Sequence, residues 1–323
     1  MGMRGCFAAL AGFLMLPPAG AVADTFPSKP LKVITSQGAG GLSDIFMRGL
    51  ADQLGPALGQ NVIVENRVGA GGTVGARACA EAAPDGYTFC ILPDVAILYN
   101  PVILTKQDFD PTARLTPITR LYNLTHVFAV TGALNVKSFD ALIKYTKAHP
   151  KTMNYMTPAV AKVAFMNELN KKSGTDFVRV PFKGGGDAVN SMLSNTTQVA
   201  IFGIGNLAQL IKAGKIVGLA IDGDKRNPLA PDVPTFKEAG YDVPGIPFHG
   251  LYAPIGTPKP ILERIYNETK KIVSKPDFQQ KFLIARGLVP VVSSPDEFEQ
   301  SLVKERQVAL QIIKDSGLYP HVK

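Results

Sequence analysis

No pair of cysteines or histidines in this chain of 323 residues has the spacing of a zinc site, and its four histidines, His126, His149, His249 and His321, stand apart from one another. There is no G-x-x-x-x-G-K-[ST] and no G-x-S-x-G elbow, which removes the P-loop and hydrolase-elbow readings. The run Gly69-Ala70-Gly71-Gly72-Thr73-Val74-Gly75 follows an apolar strand, but Val74 stands where a dinucleotide fingerprint needs its third glycine. No histidine in a matching motif accompanies Cys79 or Cys90, so a cysteine nucleophile is not expected. The expectation is a non-enzyme with no metal and no cofactor. Basic residues are scattered without a Lys/Arg-rich tract, which argues against a nucleic-acid partner. Beyond the first residues no apolar run is long enough to cross a bilayer.

What the chain does have begins with Arg4, an apolar run from Cys6 to Leu16, a Pro17-Pro18 break and Ala21-Val22-Ala23 before Asp24. This charged, apolar and small-residue order marks residues 1–23 as a signal peptide, with cleavage expected after Ala23. The apolar run is shorter than the roughly 18 residues a span requires, and Cys6 stands at its start instead of at a cleavage site, which argues against lipidation. A soluble periplasmic protein, residues 24–323, is the expectation. The net charge is +8, or +7 once Arg4 is removed, which favours small anions in a general way.

From Leu31 onward, short apolar strands alternate with helical segments. Lys32-Val33-Ile34, Val62-Ile63-Val64 and Tyr87 to Leu92 are read as strands, with helices opening at Ser43 and after Gly72. Further strands are expected at Met153–Met156, Phe177–Val180, Gln198–Phe202 and Ile216–Ile221, with helices between them. Ser138, Thr257 before Pro258, and Ser294 with Glu297 three residues on are helix-start signals. This grammar predicts an α/β fold with mainly parallel sheets flanked by helices, and the mature length exceeds what one core usually organises, so two lobes are expected. Cys79, late in one helix, and Cys90, in the adjoining strand, are read as two buried small hydrophobes, with a disulfide as the alternative that an oxidising compartment permits.

Several segments in order carry a family resemblance: Ser36-Gln37-Gly38-Ala39-Gly40-Gly41-Leu42-Ser43-Asp44, Val64-Glu65-Asn66-Arg67-Val68-Gly69-Ala70-Gly71-Gly72, Ala83-Pro84-Asp85-Gly86-Tyr87-Thr88, Ala230-Pro231-Asp232-Val233-Pro234-Thr235 and Ala253-Pro254-Ile255-Gly256-Thr257-Pro258-Lys259-Pro260. The chain resembles the solute receptors of tripartite tricarboxylate transporters, the Bug or TctC-like proteins, over nearly all of its length after residue 26. The resemblance implies a two-lobed periplasmic-binding-protein fold of type II, with lobe one built from residues 24–123 plus 248–323, lobe two from 124–247, and the ligand cleft between them. It implies a small organic acid as ligand, a di- or tricarboxylate, an aromatic acid, or an acidic, hydroxy or amino acid. It also implies a transient encounter with membrane transporter subunits; a ligand sensor presenting its closed form to a periplasmic sensor domain is the alternative, an enzyme using the same cleft the more distant one, and a monomer is expected.

Open α/β sheets bind ligands in the loops that follow their strands. The first such loop offers Ser36, Gln37, Gly40, Gly41, Leu42 and Ser43 ahead of a helix whose free N–H groups can hold a carboxylate. The resemblance implies that a second loop in the other lobe faces it, here Met156, Thr157, Ala161 and Lys162. That loop has lost the hydroxyls that relatives carry, which leaves fewer hydrogen bonds for a polar ligand unless Lys162 supplies charge instead. Asp44 is read as an i,i+4 partner of Arg48, with an ammonium or hydroxyl of the ligand as the alternative. Asp94 adds to an acidic rim, and two acids with Lys162 suit a zwitterion or hydroxy acid. Phe182, Lys183 and Gly184, and Asn206, complete the expected contacts. His249 is the one histidine placed near the cleft, with a core or rim role preferred.

Overall fold

A computed structural model describes residues 26–104, 109–181 and 185–317. The expected signal peptide, and Phe182, Lys183 and Gly184, lie outside the described residues.

The first sheet starts from a strand–helix–strand–helix–strand run: β1 (Leu31–Thr35), α1 (Leu42–Leu58), β2 (Val62–Asn66), α2 (Thr73–Ala80) and β3 (Thr88–Pro93). β1 lies between β2 and β3 and is parallel to both. α1 ends at Gly59, whose φ of 74° is the left-handed conformation that closes a helix at little steric cost. After a π-type turn at Val95–Tyr99 come the short helices α3 (Asn100–Ile103) and α4 (Pro111–Arg114), then β4 (Leu115–Leu124). One residue later the chain is in the second sheet as β5 (His126–Thr131).

The second sheet continues with α5 (Phe139–Ala148), β6 (Asn154–Met156), α6 (Val160–Ser173), β7 (Val178–Arg179), α7 (Gly185–Leu193), β8 (Val199–Gly203), α8 (Ile204–Lys212) and β9 (Ile216–Ile221). Its strand order is β7-β6-β8-β5-β9. The chain then returns to the first sheet as β10 (Phe248–Pro254), inserted between β4 and β3, and ends with α9 (Lys259–Val273), α10 (Pro276–Phe282), β11 (Leu288–Pro290) and α11 (Pro295–Asp315).

The sheets are mixed, where mainly parallel ones were expected. β10 runs antiparallel to both β3 and β4, and β11 is antiparallel to β4. β5 is antiparallel to both β8 and β9, and the parallel pairings of this second sheet are those of β6 with β7 and with β8. The cause is the double passage between sheets. β4 carries the chain out of the first sheet and β10 carries it back, so the two must run in opposite directions when they lie side by side.

Two of the three start signals act as caps. Ser138 Oγ accepts from Ala141 N at 3.2 Å, and Ser294 and Glu297 form a reciprocal box, with Glu297 Oε2 accepting from Ser294 N at 2.8 Å. Thr257 does not cap: its hydroxyl donates to the Pro254 carbonyl at 2.7 Å, and α9 opens after Pro258. Cys79 and Cys90 are joined, correcting the reading of two separate hydrophobes. α2 packs on β3 so closely that the two Cα atoms are 6.0 Å apart, within the reach of a disulfide.

Apolar residues from α1, α9 and α10 cover one face of the first sheet, with Phe46, Leu50, Ile265 and Phe278 against Phe89, Leu121 and Leu251. The core on its other face continues past the sheet. Ala161 and Ala164 of α6 join Tyr99, Phe248, Ile312 and Ile313 in one cluster. α11 thus spans from the first sheet to a helix of the second, and Asn167 Nδ2 donates to the Ser316 carbonyl at its end at 2.6 Å.

Candidate ligand-binding cleft

Where the two sheets meet, a cavity of about 360 Å³ is lined by residues of both. That is within the usual range for a small-molecule site. A larger hollow of about 790 Å³ lies on the flank of the first sheet between α9 and α11. It draws nothing from the second sheet, so it cannot be the cleft between lobes.

The cavity is assembled from strand-to-helix loops and from the passages between sheets. β1 leads in with Ser36 and Gln37, β2 with Val68 to Gly72, β3 with Pro93, Asp94 and Val95, and β6 with Pro158 to Ala161. Leu124, His126, Pro247 and His249 come from the two passages, together with Gly245. Gly245 has φ 80°, and a β-carbon there would come within 3.2 Å of the Tyr99 hydroxyl and 3.3 Å of Ala161. Only glycine lets the returning chain slip between the lobes at this point.

In the first loop only part of the expected set reaches the cavity. Ser36 is buried and its Oγ has no partner. Gln37 Oε1 accepts from Ser43 N at 3.1 Å, closing the open start of α1, and its Nε2 lies 3.5 Å from His249 Nε2. Gly40, Gly41 and Leu42 are outside the lining, and Ser43 is turned inward, its Oγ 3.1 Å from Thr35 Oγ1. Asp44 faces away from the ligand space. Its carboxylate accepts from Gly40 N at 2.9 Å, Asn66 Nδ2 at 2.8 Å and Arg48 Nε at 3.0 Å. Burial raises the Asp44 pKa, but these hydrogen bonds outweigh it and hold the carboxyl below its usual range. The i,i+4 pairing of Asp44 with Arg48 is present in this geometry.

The glycine loop after β2 is a contributor that the sequence reading left out of the site. Gly69, Ala70, Gly71 and Gly72 all have positive φ, at 145°, 44°, 61° and 96°. Asn100 Nδ2 ties this loop down by donating to the Ala70 carbonyl at 2.9 Å and the Gly71 carbonyl at 3.2 Å. The signal was present: a strand empties into glycines that open a helix, the same rule that selected the first loop.

On the other side, Ala161 lines the cavity, but Met156, Thr157 and Lys162 do not. Met156 is core, and Thr157 Oγ1 accepts from Ala159 N at 3.2 Å, shaping the loop from behind. Lys162 is wholly buried, with Nζ 2.5 Å from Asp222 Oδ1. Its charge is neutralised inside the lobe, against the expectation that it serves the ligand. What faces the cavity instead is the apolar opening of α6, Ala159 to Ala161; Lys162 N donates to the Ala159 carbonyl at 3.0 Å, which leaves the N–H groups of Val160 and Ala161 as the donors a helix start does not satisfy itself. Asn206 is exposed in the first turn of α8 and does not line the cavity.

Two histidines line the cavity, where the sequence reading preferred a core or rim role for His249 and assigned none to His126. His249 stacks on Tyr122 with ring centres 5.3 Å apart, and its Nδ1 is buried without a partner. Burial pushes its pKa down to about 3. His126 Nδ1 lies 3.7 Å from Asp222 Oδ2, and burial lowers its pKa to about 4 despite that carboxylate. Both imidazoles are neutral at physiological pH. Asp94 is shifted the other way: burial pushes its carboxyl up to about 7, with the Val95 N–H opposing, Glu305 adding to the rise, and Arg120 and the Phe248 N–H opposing it. Among the described residues, no lysine or arginine lines the cavity, and no cluster of three or more His, Cys, Asp or Glu is arranged to hold a metal. No helix among them is long and apolar enough to cross a membrane.

Comparison with known proteins agrees with this architecture. BugT of Bordetella pertussis (strain Tohama I) is 30% identical over 299 residues, 91% of this chain and 91% of that protein. An R. palustris protein solved with adipate superposes with a TM-score of 0.80 at 25% identity, covering 90% of this chain and 98% of the other. MatC from Rhodopseudomonas palustris with bound malate gives a TM-score of 0.72 at 25% identity, covering 91% and 100%. The family model described as tripartite tricarboxylate transporter family receptor matches residues 46–318. With a cleft between two α/β lobes and a family match over most of its length, the chain belongs to the tripartite tricarboxylate transporter receptor family of periplasmic solute-binding proteins.

Proposed function

We propose that the protein is a periplasmic receptor that captures a small organic acid and passes it to a tripartite tricarboxylate-type transporter. The observation that carries this is the cavity between the lobes, bounded by helix-opening loops of both sheets and holding buried polar atoms without partners, Ser36 Oγ and His249 Nδ1. Buried polar groups left unpaired are costly, so they mark the places where a ligand completes the hydrogen bonding. The N–H groups of Val160 and Ala161 at the start of α6, and of the loop ahead of Gly72, suit a carboxylate, in keeping with relatives that hold adipate and malate. A receptor fits better than an enzyme, because Ser36 Oγ has no imidazole partner to activate it as a nucleophile.

Residues 24–123 with 248–323 act as one lobe and 124–247 as the other, exported by the signal segment 1–23. Ligand contacts made from both lobes at once favour the closed arrangement, with hinges at the two passages between sheets. A thermal-shift screen of residues 24–323 against mono-, di- and tricarboxylates, aromatic acids and acidic or amide amino acids tests the reading. At about 100 times its Kd a true ligand stabilises the fold by about 2.7 kcal/mol, a shift that is easily seen. Uniform silence across the panel rejects it.

A further inference from the structure

The charges around the cleft point to a class of ligand, an inference that rests on the receptor reading above. Among the described lining residues, Asp94 is the one that can carry a charge at neutral pH, since both histidines are neutral there. The neighbouring cations are already engaged. Arg120 Nη1 lies 2.6 Å from Glu305 Oε1, its Nε donates to Asn123 Oδ1 at 2.7 Å, and its guanidinium sits 4.2 Å from the Phe248 ring centre. Lys162 is held by Asp222, and Arg48 by Asp44 and Asn66. The cavity therefore joins one poorly solvated carboxyl to backbone N–H donors at helix starts and to the open Ser36 and His249 positions.

We propose that Asp94 receives the ammonium group of a zwitterionic ligand, so that the cleft selects amino acids over the matching hydroxy and unsubstituted diacids. A dianion would bring only further negative charge against Asp94, whereas an ammonium provides the counter-charge that the cavity wall lacks. The carboxylate of the same ligand then takes the N–H donors.

The pH behaviour follows from the groups around Asp94. These are Glu305 of α11, Arg120 of β4, Tyr99 in the turn beyond it, Tyr252 and His249 of β10, and His126 across the cavity. The histidines titrate near 3 and 4, below the window of interest, and Asp94 near 7 is the group that changes between pH 6 and 8. Pairing with an ammonium needs the ionised form. Affinity should then fall about tenfold from pH 8 to pH 6, with protons released on binding.

Isothermal titration with aspartate, malate and succinate, and with α-aminoadipate and adipate, separates the outcomes. Each set keeps one skeleton and changes the substituent. In whichever skeleton binds, the ammonium member should bind at least tenfold tighter, and Asp94→Asn should remove that preference while leaving the circular dichroism spectrum unchanged. The pH series on the unaltered protein stands even if that variant folds poorly. A diacid that binds as tightly as its amino counterpart, or affinity that rises as pH falls, overturns the Asp94 assignment and leaves the receptor reading intact. If no acid binds here or in the wider screen, the receptor reading fails and this inference fails with it.

Discussion

Behind each half of the cleft sits a buried carboxylate, and the two are compensated in different ways. In lobe one Asp44 is held by an N–H of its own loop, by Asn66 from the next strand, and by an arginine whose side chain is 50% exposed. In lobe two Asp222 is held by Lys162, whose side chain is 0% exposed, and accepts from His126 N at 3.2 Å. The first is a spread network open to water at one end, and the second is a dry ion pair supported by one backbone N–H. Both fix the backbone of a strand-to-helix loop, and neither the carboxylates nor their cations line the cavity. A charged residue in a binding loop is thus no guide to ligand charge until its partner is known.

The comparison breaks most sharply at Lys162. Lys162→Met leaves Asp222 buried without a counter-charge, with the His126 N–H left to hold it, and should cost about 3 kcal/mol, seen as a large fall in the urea midpoint. The double variant Lys162→Met with Asp222→Asn should recover much of that loss. If the single variant is as stable as the parent, the pair is not a stabilising strut.

The Asp44 network should yield less. Asp44→Ala removes the shared acceptor of Gly40 N, Asn66 Nδ2 and Arg48, while Asn66 keeps the Gln37 carbonyl, and should cost about 1–1.5 kcal/mol at neutral pH. Because the folded pKa of Asp44 is held below its unfolded value, this contribution is fully present above the unfolded pKa and is lost as pH falls through the folded one. Denaturation curves of parent and variant should therefore converge in strong acid. A gap that persists there would place the effect in packing instead of charge.

The smallest effect is expected at Gln37, whose side chain closes the start of α1 through Ser43 N. Gln37→Ala should cost about 1 kcal/mol of stability. Because Gln37 also lines the cavity, the same change should weaken any ligand found in the screen. A variant that loses stability but keeps full affinity would make Gln37 a helix cap alone.

Much of the fold could be read from the residues because its rules are local. The caps at Ser138 and Ser294 are satisfied within three residues, and apolar runs such as Lys32–Ile34 and Gln198–Phe202 fall in strands. The site was legible only in part. Ser36, Gln37, Asp94 and Ala161 line the cavity, yet Lys162 and Asp44 turn inward to partners, and His126 and the Gly69–Gly72 loop complete the lining. Asp222 lies far along the chain from Lys162, with no periodicity or spacing that links them.

By itself, then, the amino-acid sequence determined the alternation of strands and helices, the helix starts and the family, since each depends on near neighbours or on motifs read in order. The tertiary structure alone decided that β10 returns antiparallel between β3 and β4, that Cys79 meets Cys90, and which charges are cancelled. The reason is physical: hydrogen bonds within a turn are set by the local backbone, whereas charge compensation and cavity lining depend on which distant segments are brought within a few ångströms of one another.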